Sequence, residues 1–135
     1  MRLTQRGIQR LPKTDIHCHL DGCVRPRTML ELADAQGVKL PTRNLTRLTR
    51  ILQAGKRTRS LADYLKIFDY TLSVLQERDA LYRVAYELAE DAAAENIRHL
   101  EVRYSPILHR RKKLEFDDIV DPVIAGLRDA GRKHG

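Results

Sequence analysis

Apolar residues recur along this chain with two different spacings, and the switch between them divides it into elements. From Pro26 to Gln36 the residues Met29, Leu30, Leu32 and Ala33 form one helical stripe. Pro26 suits a first turn, where its missing N–H is not needed, and Gly37 supplies a C-cap. After the break at Pro41, Leu45, Leu48, Ile51 and Leu52 predict a short amphipathic helix between Lys39 and Gly55, with Gly55 and residues 56–60 as a loop. Leu61, Tyr64, Leu65 and Phe68 stand at i, i+3, i+4 and i+7 and predict a third helix, capped by Ser60 or Asp63. Asp79 opens a fourth, in which Leu81, Val84, Ala85, Leu88 and Ala92 make the buried stripe, Glu87, Glu90 and Asp91 the solvated face, and Asn96 the end. A last amphipathic helix carries Phe116, Ile119, Val120, Val123, Ile124 and Leu127, interrupted near its start by Pro122.

Two stretches follow the period of a strand instead. Residues 97–106 alternate until Pro106, placing His99, Glu101 and Arg103 on one side and Leu100, Val102 and Tyr104 on the other. Glu101 and Arg103 read as a structural pair that compensate each other's charge. The other stretch is 11–22, Leu-Pro-Lys-Thr-Asp-Ile-His-Cys-His-Leu-Asp-Gly, with Ile16 and Leu20 as packing residues and Asp21-Gly22 as the turn that stops it. Residues 1–10 have no apolar period and read as a flexible lead-in, and His109 to Lys113 as an exposed basic loop.

The chemistry concentrates in the earlier strand. Residues two apart on a strand face the same way, so His17 and His19 converge while Cys18 faces away. Neutral imidazole is a common ligand for divalent zinc, and a strand end in an α/β fold is where sites are built, so a metal site is one reading. Two ordinary histidines is the other, since His-x-His alone is weak evidence. Cys18 reads as a small buried hydrophobe.

Residues 11–34 resemble the opening of the adenosine deaminases, zinc enzymes of the amidohydrolase superfamily that convert adenosine to inosine. Residues 60–76, SLADYLKIFDYTLSVLQ, and 101–106, EVRYSP, match the same family in the same order. The resemblance implies an α/β fold: the N-terminal portion of a (β/α)8 TIM barrel of the metal-dependent hydrolase type, with extra helices after the first strand. A barrel of that kind takes about 250 residues, so residues 1–135 are expected to be part of a single barrel domain, truncated before the third strand. The resemblance further implies Zn2+ held by His17 and His19, with substrate contacts from His19 and Asp21. Leu61, Tyr64, Leu65 and Phe68 would form a hydrophobic lid over purine and ribose, a role that their spacing alone cannot tell from a core face. The remaining ligands and the catalytic residues of the family lie on later strands, so no catalytic residue is assigned here and the 135 residues alone are expected to be inactive. In the family the metal lowers the pKa of a bound water, whose hydroxide attacks purine C6 and displaces ammonia. Relatives acting on free adenine or modified purines often carry HLEG, so HLDG favours a nucleoside, and an amidohydrolase acting on another 6-aminopurine is the alternative. Asp21 can also be read as a plain turn residue before Gly22.

Charge adds a third possibility. The net charge of +7 comes from one stretch: Lys39, Arg43, Arg47, Arg50, Lys56, Arg57 and Arg59 occur with no acidic residue between Ala35 and Ala62. Arg43, Arg47 and Arg50 would serve a non-enzymatic nucleic-acid-binding module, but stacking aromatics are absent from the stretch and a solvated helix face explains it as well. The hydrophobic fraction of 42% and charged fraction of 32% describe a globular chain. No apolar run is long enough for a membrane span or signal core, and two cysteines, Cys18 and Cys23, are too few for a disulfide framework, which predicts free thiols and a cytoplasmic setting. The resemblance implies a purine nucleoside as the small-molecule partner, and the oligomeric state stays open. Two strands without neighbours would leave unpaired edges, favouring aggregation or a molten state.

Overall fold

The computed structural model describes residues 4–53 and 60–134, the side chain of Asp63 excepted. Its elements run α1 (Gln5–Arg10), β1 (Lys13–His19), a 3-10 turn (Leu20–Gly22), α2 (Pro26–Gln36), α3 (Leu45–Leu52), α4 (Leu61–Val74), α5 (Arg78–Ala94), β2 (Ile97–Arg103), a 3-10 turn (Pro106–His109) and α6 (Phe116–His134). β1 and β2 pair in parallel, and among the described residues the helices α2 to α5 lie on the long crossover between these neighbouring strands. This is the α/β arrangement, with extra helices after the first strand, that the sequence predicts. The expected loop over residues 55–59 lies outside the described residues.

Local signals account for most element ends. Gly37 adopts φ 67°, where its lack of a Cβ avoids strain, and closes α2 as a C-cap. Asn44 caps α3, its side chain accepting from the Arg47 N–H at 2.9 Å. Asn96, at φ 60°, reverses the chain between α5 and β2, and its side-chain amide donates to the Arg10 carbonyl at 2.8 Å. Ser60 directly precedes α4, whereas Asp63 lies within it. α5 starts at Arg78, one residue before Asp79.

The predicted apolar stripes make the core. Leu81, Val84, Ala85 and Leu88 of α5 are buried with Met29 and Ala33 of α2, Leu48 of α3 and Ile119 and Val123 of α6. Leu20 is fully buried where β1 ends. α6 lies closely along α5: a methyl group at Gly126 would press into the Tyr82 carbonyl and stand 3.0 Å from the Tyr86 nitrogen. Tyr82 reinforces the contact by donating its hydroxyl to Asp129 at 3.0 Å.

Several expectations are corrected. Residues 5–10 form a helix, because the Thr4 side chain accepts from the Gly7 N–H at 3.1 Å and caps it. Ile16 is 66% exposed rather than packed: the register slips between Asp15 and Cys18, where the Asp15 carboxylate accepts from the His17 N–H at 3.1 Å, and the extra residue turns Ile16 outward. Glu87 is buried, not solvated, because Thr28 of α2 donates to it at 2.6 Å and Arg83 at 2.9 Å, satisfying the carboxylate. Its helix-mates Glu90 and Asp91 take up Arg25, at 2.7 and 2.6 Å, and that guanidinium holds the Glu90 carboxyl below its ordinary pKa. Pro122 does not interrupt α6: the helix runs through it, with the ring buried, since a proline forfeits one backbone hydrogen bond and packing can offset it. Phe116 and Ile124 of that helix are about half exposed.

The α5–α6 contact yields a direct test. Gly126→Ala overpacks a helix crossing with no slack, a change expected to cost about 1–3 kcal/mol. Amide hydrogen exchange in α5 and α6 should accelerate by roughly 5- to 150-fold, with the same substitution at Gly131, where nothing lies within 4 Å, as the neutral control.

Candidate active site

The site is built where β1 ends, from three neighbouring segments. Past the slip at Asp15, strand alternation resumes, so His17 and His19 are exposed on one face and Cys18 turns toward the core. The two Nε2 atoms stand 3.1 Å apart. In the parallel register His19 pairs with Arg103 of β2 and Cys18 with Val102, so the guanidinium joins the histidines while Val102 faces inward. Arg103 Nη1 lies 2.7 Å from His17 Nδ1 and 2.9 Å from its Nε2. The expected pairing of Glu101 with Arg103 is therefore replaced: Glu101 accepts from His99 at 3.0 Å, and Arg103 is drawn across the sheet to His17.

Arg103 donates to the His17 ring, and one imidazole donates to the other across the Nε2–Nε2 contact. His19 Nδ1 then faces Asp21 Oδ1 at 3.8 Å. Asp21 sits in the 3-10 turn and is 6% exposed, and its Oδ1 has no hydrogen-bond partner among the described residues. A buried carboxylate oxygen left without a donor is costly.

A cleft of about 580 Å³ opens over these groups, lined by His19, Asp21 and Arg103, by Tyr64, Leu65 and Phe68 of α4, and by Tyr104 and Ser105 beyond β2. α4 changes character along its length. Leu72 and Val74 are buried, whereas Tyr64 and Leu65 are 38% and 53% exposed, so the predicted apolar face is a cleft wall and not core. Phe68 meets the His19 ring edge-on at 6.5 Å and Tyr64 at 5.3 Å. Leu61, expected with them, is 72% exposed and outside this cleft.

The far wall is held by buried polar contacts that periodicity does not reveal. His109, expected in an exposed loop, is fully buried: its Nδ1–H donates to the Leu75 carbonyl at 2.8 Å and its ring meets Tyr104 edge-on at 5.7 Å. Gln76 clasps the same turn, donating to the Leu108 carbonyl at 3.0 Å and accepting from the Arg111 N–H at 2.9 Å. On the inward side of β1, Cys18 and Cys23 are free thiols whose sulfurs lie 3.4 Å apart. Burial raises the pKa of both, pushing Cys23 up to about 12. Of the basic stretch, Arg43 pairs with Asp34 and Arg47 and Arg50 are exposed on α3, while Lys56, Arg57 and Arg59 lie outside the described residues.

The donor set fits a divalent cation. Nitrogens about 2.0–2.1 Å from a tetrahedral zinc lie about 3.3 Å from each other, close to the observed 3.1 Å. His17 and His19 could each give one nitrogen. No cluster of three or more candidate ligands occurs among the described residues.

Residues 12–135 match the family model for adenosine deaminase. The chain belongs to the adenosine deaminase family. It is 47% identical over 120 residues to the adenosine deaminase of Vibrio vulnificus and 41% over 124 residues to that of Shewanella woodyi, covering 89% and 92% of this chain. It spans 36% and 38% of the length of those relatives. Among solved structures, a zinc-bound amidohydrolase of Burkholderia ambifaria aligns with TM-score 0.80 and 29% identity, over all of this chain and 37% of that one. An N6-mAMP deaminase of Arabidopsis aligns with TM-score 0.74 and 32% identity, over 93% and 37%. Family membership brings with it the TIM-barrel amidohydrolase fold, of which β1 and β2 are two neighbouring strands.

Burial of His109 generates a pH prediction. Desolvation lowers its pKa in the folded chain below the ordinary value of about 6.5, although its bond to Leu75 opposes this. Above about 6.5 the imidazole is neutral whether folded or not, so the stability tied to it is fully present. As pH falls toward the lower folded value, the unfolded chain takes up a proton that the folded chain does not, and this stability is lost. The His109 ring proton should titrate below about 6.5 by NMR, and His109→Gln, which keeps a donor for Leu75, should flatten the fall in unfolding midpoint on acidification.

Proposed function

We propose that residues 1–135 are the N-terminal part of one barrel domain and that the complete protein hydrolytically deaminates adenosine, and 2'-deoxyadenosine, to inosine. The observation that carries this reading is the convergence of His17 and His19 beside the buried carboxylate of Asp21, whose Oδ1 has no hydrogen-bond partner among the described residues, under an aromatic wall. His17 and His19 hold zinc, which supplies an activated water at neutral pH. The reading draws further support from the zinc-bound Burkholderia neighbour.

The chain's own residues bind and orient. Asp21 accepts a hydrogen bond from a sugar hydroxyl, satisfying its orphan oxygen, while His19 lies against the sugar. Tyr64, Leu65 and Phe68, with Leu61 at the outer end of the same face, form a lid that excludes water from the purine. Ammonia release needs proton transfer, for which this chain offers no assigned group. Free thiols at Cys18 and Cys23 agree with a cytoplasmic place in purine metabolism.

A second reading, a 6-aminopurine nucleotide as substrate, is favoured by the N6-mAMP deaminase neighbour and by an Arabidopsis ADAL structure complexed with IMP, 32% identical with TM-score 0.71. The carboxylate of Asp21 argues for the uncharged nucleoside, since a phosphate beside it would be repelled.

Grafting residues 12–135 onto the remainder of the Vibrio vulnificus relative gives the experiment. The chimera should convert adenosine in preference to its 5'-monophosphate, and His17→Ala or His19→Ala should lower both bound zinc and kcat/KM by more than about 100-fold. A folded, zinc-loaded chimera inert toward adenosine would sink the proposal.

A further inference from the structure

The face of β1 opposite the histidines holds a second chemical group, independent of any catalytic reading. Cys18 lies between His17 and His19 but points inward, and Cys23 follows the 3-10 turn, its N–H donating to the Leu20 carbonyl at 3.1 Å. That backbone bond folds the chain back so that the two sulfurs meet at 3.4 Å, both half-buried against the core. A disulfide is about 2.0 Å long, so the sulfurs need to close by little more than an ångström. From this geometry we propose that Cys18 and Cys23 are a dithiol–disulfide couple, a modification site that reacts with small-molecule disulfides of the glutathione type.

The chemistry balances as thiol–disulfide exchange. One cysteine, giving up its proton, attacks a sulfur of oxidised glutathione, forming a mixed disulfide and expelling one glutathione thiolate, which takes a proton. The second cysteine attacks the protein sulfur of that mixed disulfide, forming the Cys18–Cys23 bond and releasing the second glutathione. Two protein thiols are oxidised and one glutathione disulfide is reduced to two thiols. The closed ring runs from Cys18 to Cys23 and contains His19 and Asp21, so its formation acts on the two residues that face the cleft from this turn.

The test uses the chimera of residues 12–135 with the remainder of the Vibrio vulnificus relative, in glutathione buffers of defined ratio, quenched with acid at equilibrium and read by mass and by mapping of the peptides that carry Cys18 and Cys23. The expected product is a chain lighter by two hydrogens, with one Cys18–Cys23 bond that dithiothreitol reverses. Its equilibrium constant should be at least about tenfold larger in native buffer than in concentrated urea, because the fold places the sulfurs in advance. Cys18→Ser and Cys23→Ser should each stop at a mixed glutathione adduct. An equal or smaller constant in native buffer, a stable glutathione adduct on the unsubstituted chain, or a disulfide-linked dimer as the end product would overturn the proposal.

Discussion

Parallel strands cannot be joined by a tight turn, and the pairing of β1 with β2 sets the layout of everything between them. The crossover has to leave the end of β1, cover the sheet and return to the beginning of β2. α5 does the last part, packing against α2 and α6 through a stripe of small and branched residues. Because both strands run the same way, their ends coincide at His19 and Arg103, and residues that follow them, Asp21 after β1 and Tyr104, Ser105 and Leu108 after β2, line one cleft. The cleft lies there for that reason. Side chains from the ends of β1 and β2 enter it from below, and α4, which packs against the Leu20–Gly22 turn, closes it from one side.

Elements with a clean period were legible in the chain itself. The α2 and α5 stripes, the Gly37 cap and the convergence of His17 with His19 follow from spacing and local backbone preference, which need no tertiary partner. What escaped was decided across the sheet or between helices. Glu87 sits on the polar side of its helix by sequence, yet Thr28 and Arg83 satisfy it and permit its burial. Arg103 has Glu101 as its near neighbour in sequence, but the register delivers it to His17. His109 follows a proline turn and opens a basic run, a surface signature, and is buried because the Leu75 carbonyl and the Tyr104 ring await it. Ile16 is the converse case. The alternation that makes His17 and His19 converge would also place Ile16 on the Cys18 face, and one Asp15 side-chain bond undoes that by inserting an extra residue into the strand.

Three buried side-chain polar atoms have no hydrogen-bond partner among the described residues, Asp21 Oδ1, Gln36 Oε1 and His109 Nε2, and of these residues Asp21 is the one that lines the cleft. Glu87, Thr28 and Gln76 have their hydrogen-bonding capacity met from within, which lets them pin α2 to α5 and α4 to the second 3-10 turn. Asp21 does not, and it faces a cleft. The aromatic wall of α4 shows the same incompleteness in apolar terms: Leu61, Tyr64 and Leu65 remain exposed although the helix that carries them ends in the core.

The hydrogen bonds around His17 give that incompleteness a direction. Arg103 donates to the His17 ring, and one imidazole donates to the other across the Nε2–Nε2 contact. One of the two Nε2 atoms therefore carries a proton and has no lone pair to offer a cation. If His17 and His19 held a cation through both atoms, as proposed, that proton would have to leave. Arg103, which lines the same cleft beside Ser105, would then stand next to the ion. The positive charge that Arg103 supplies next to the imidazole pair is the charge a divalent ion would bring, so the two would compete for His17 on electrostatic as well as hydrogen-bonding grounds.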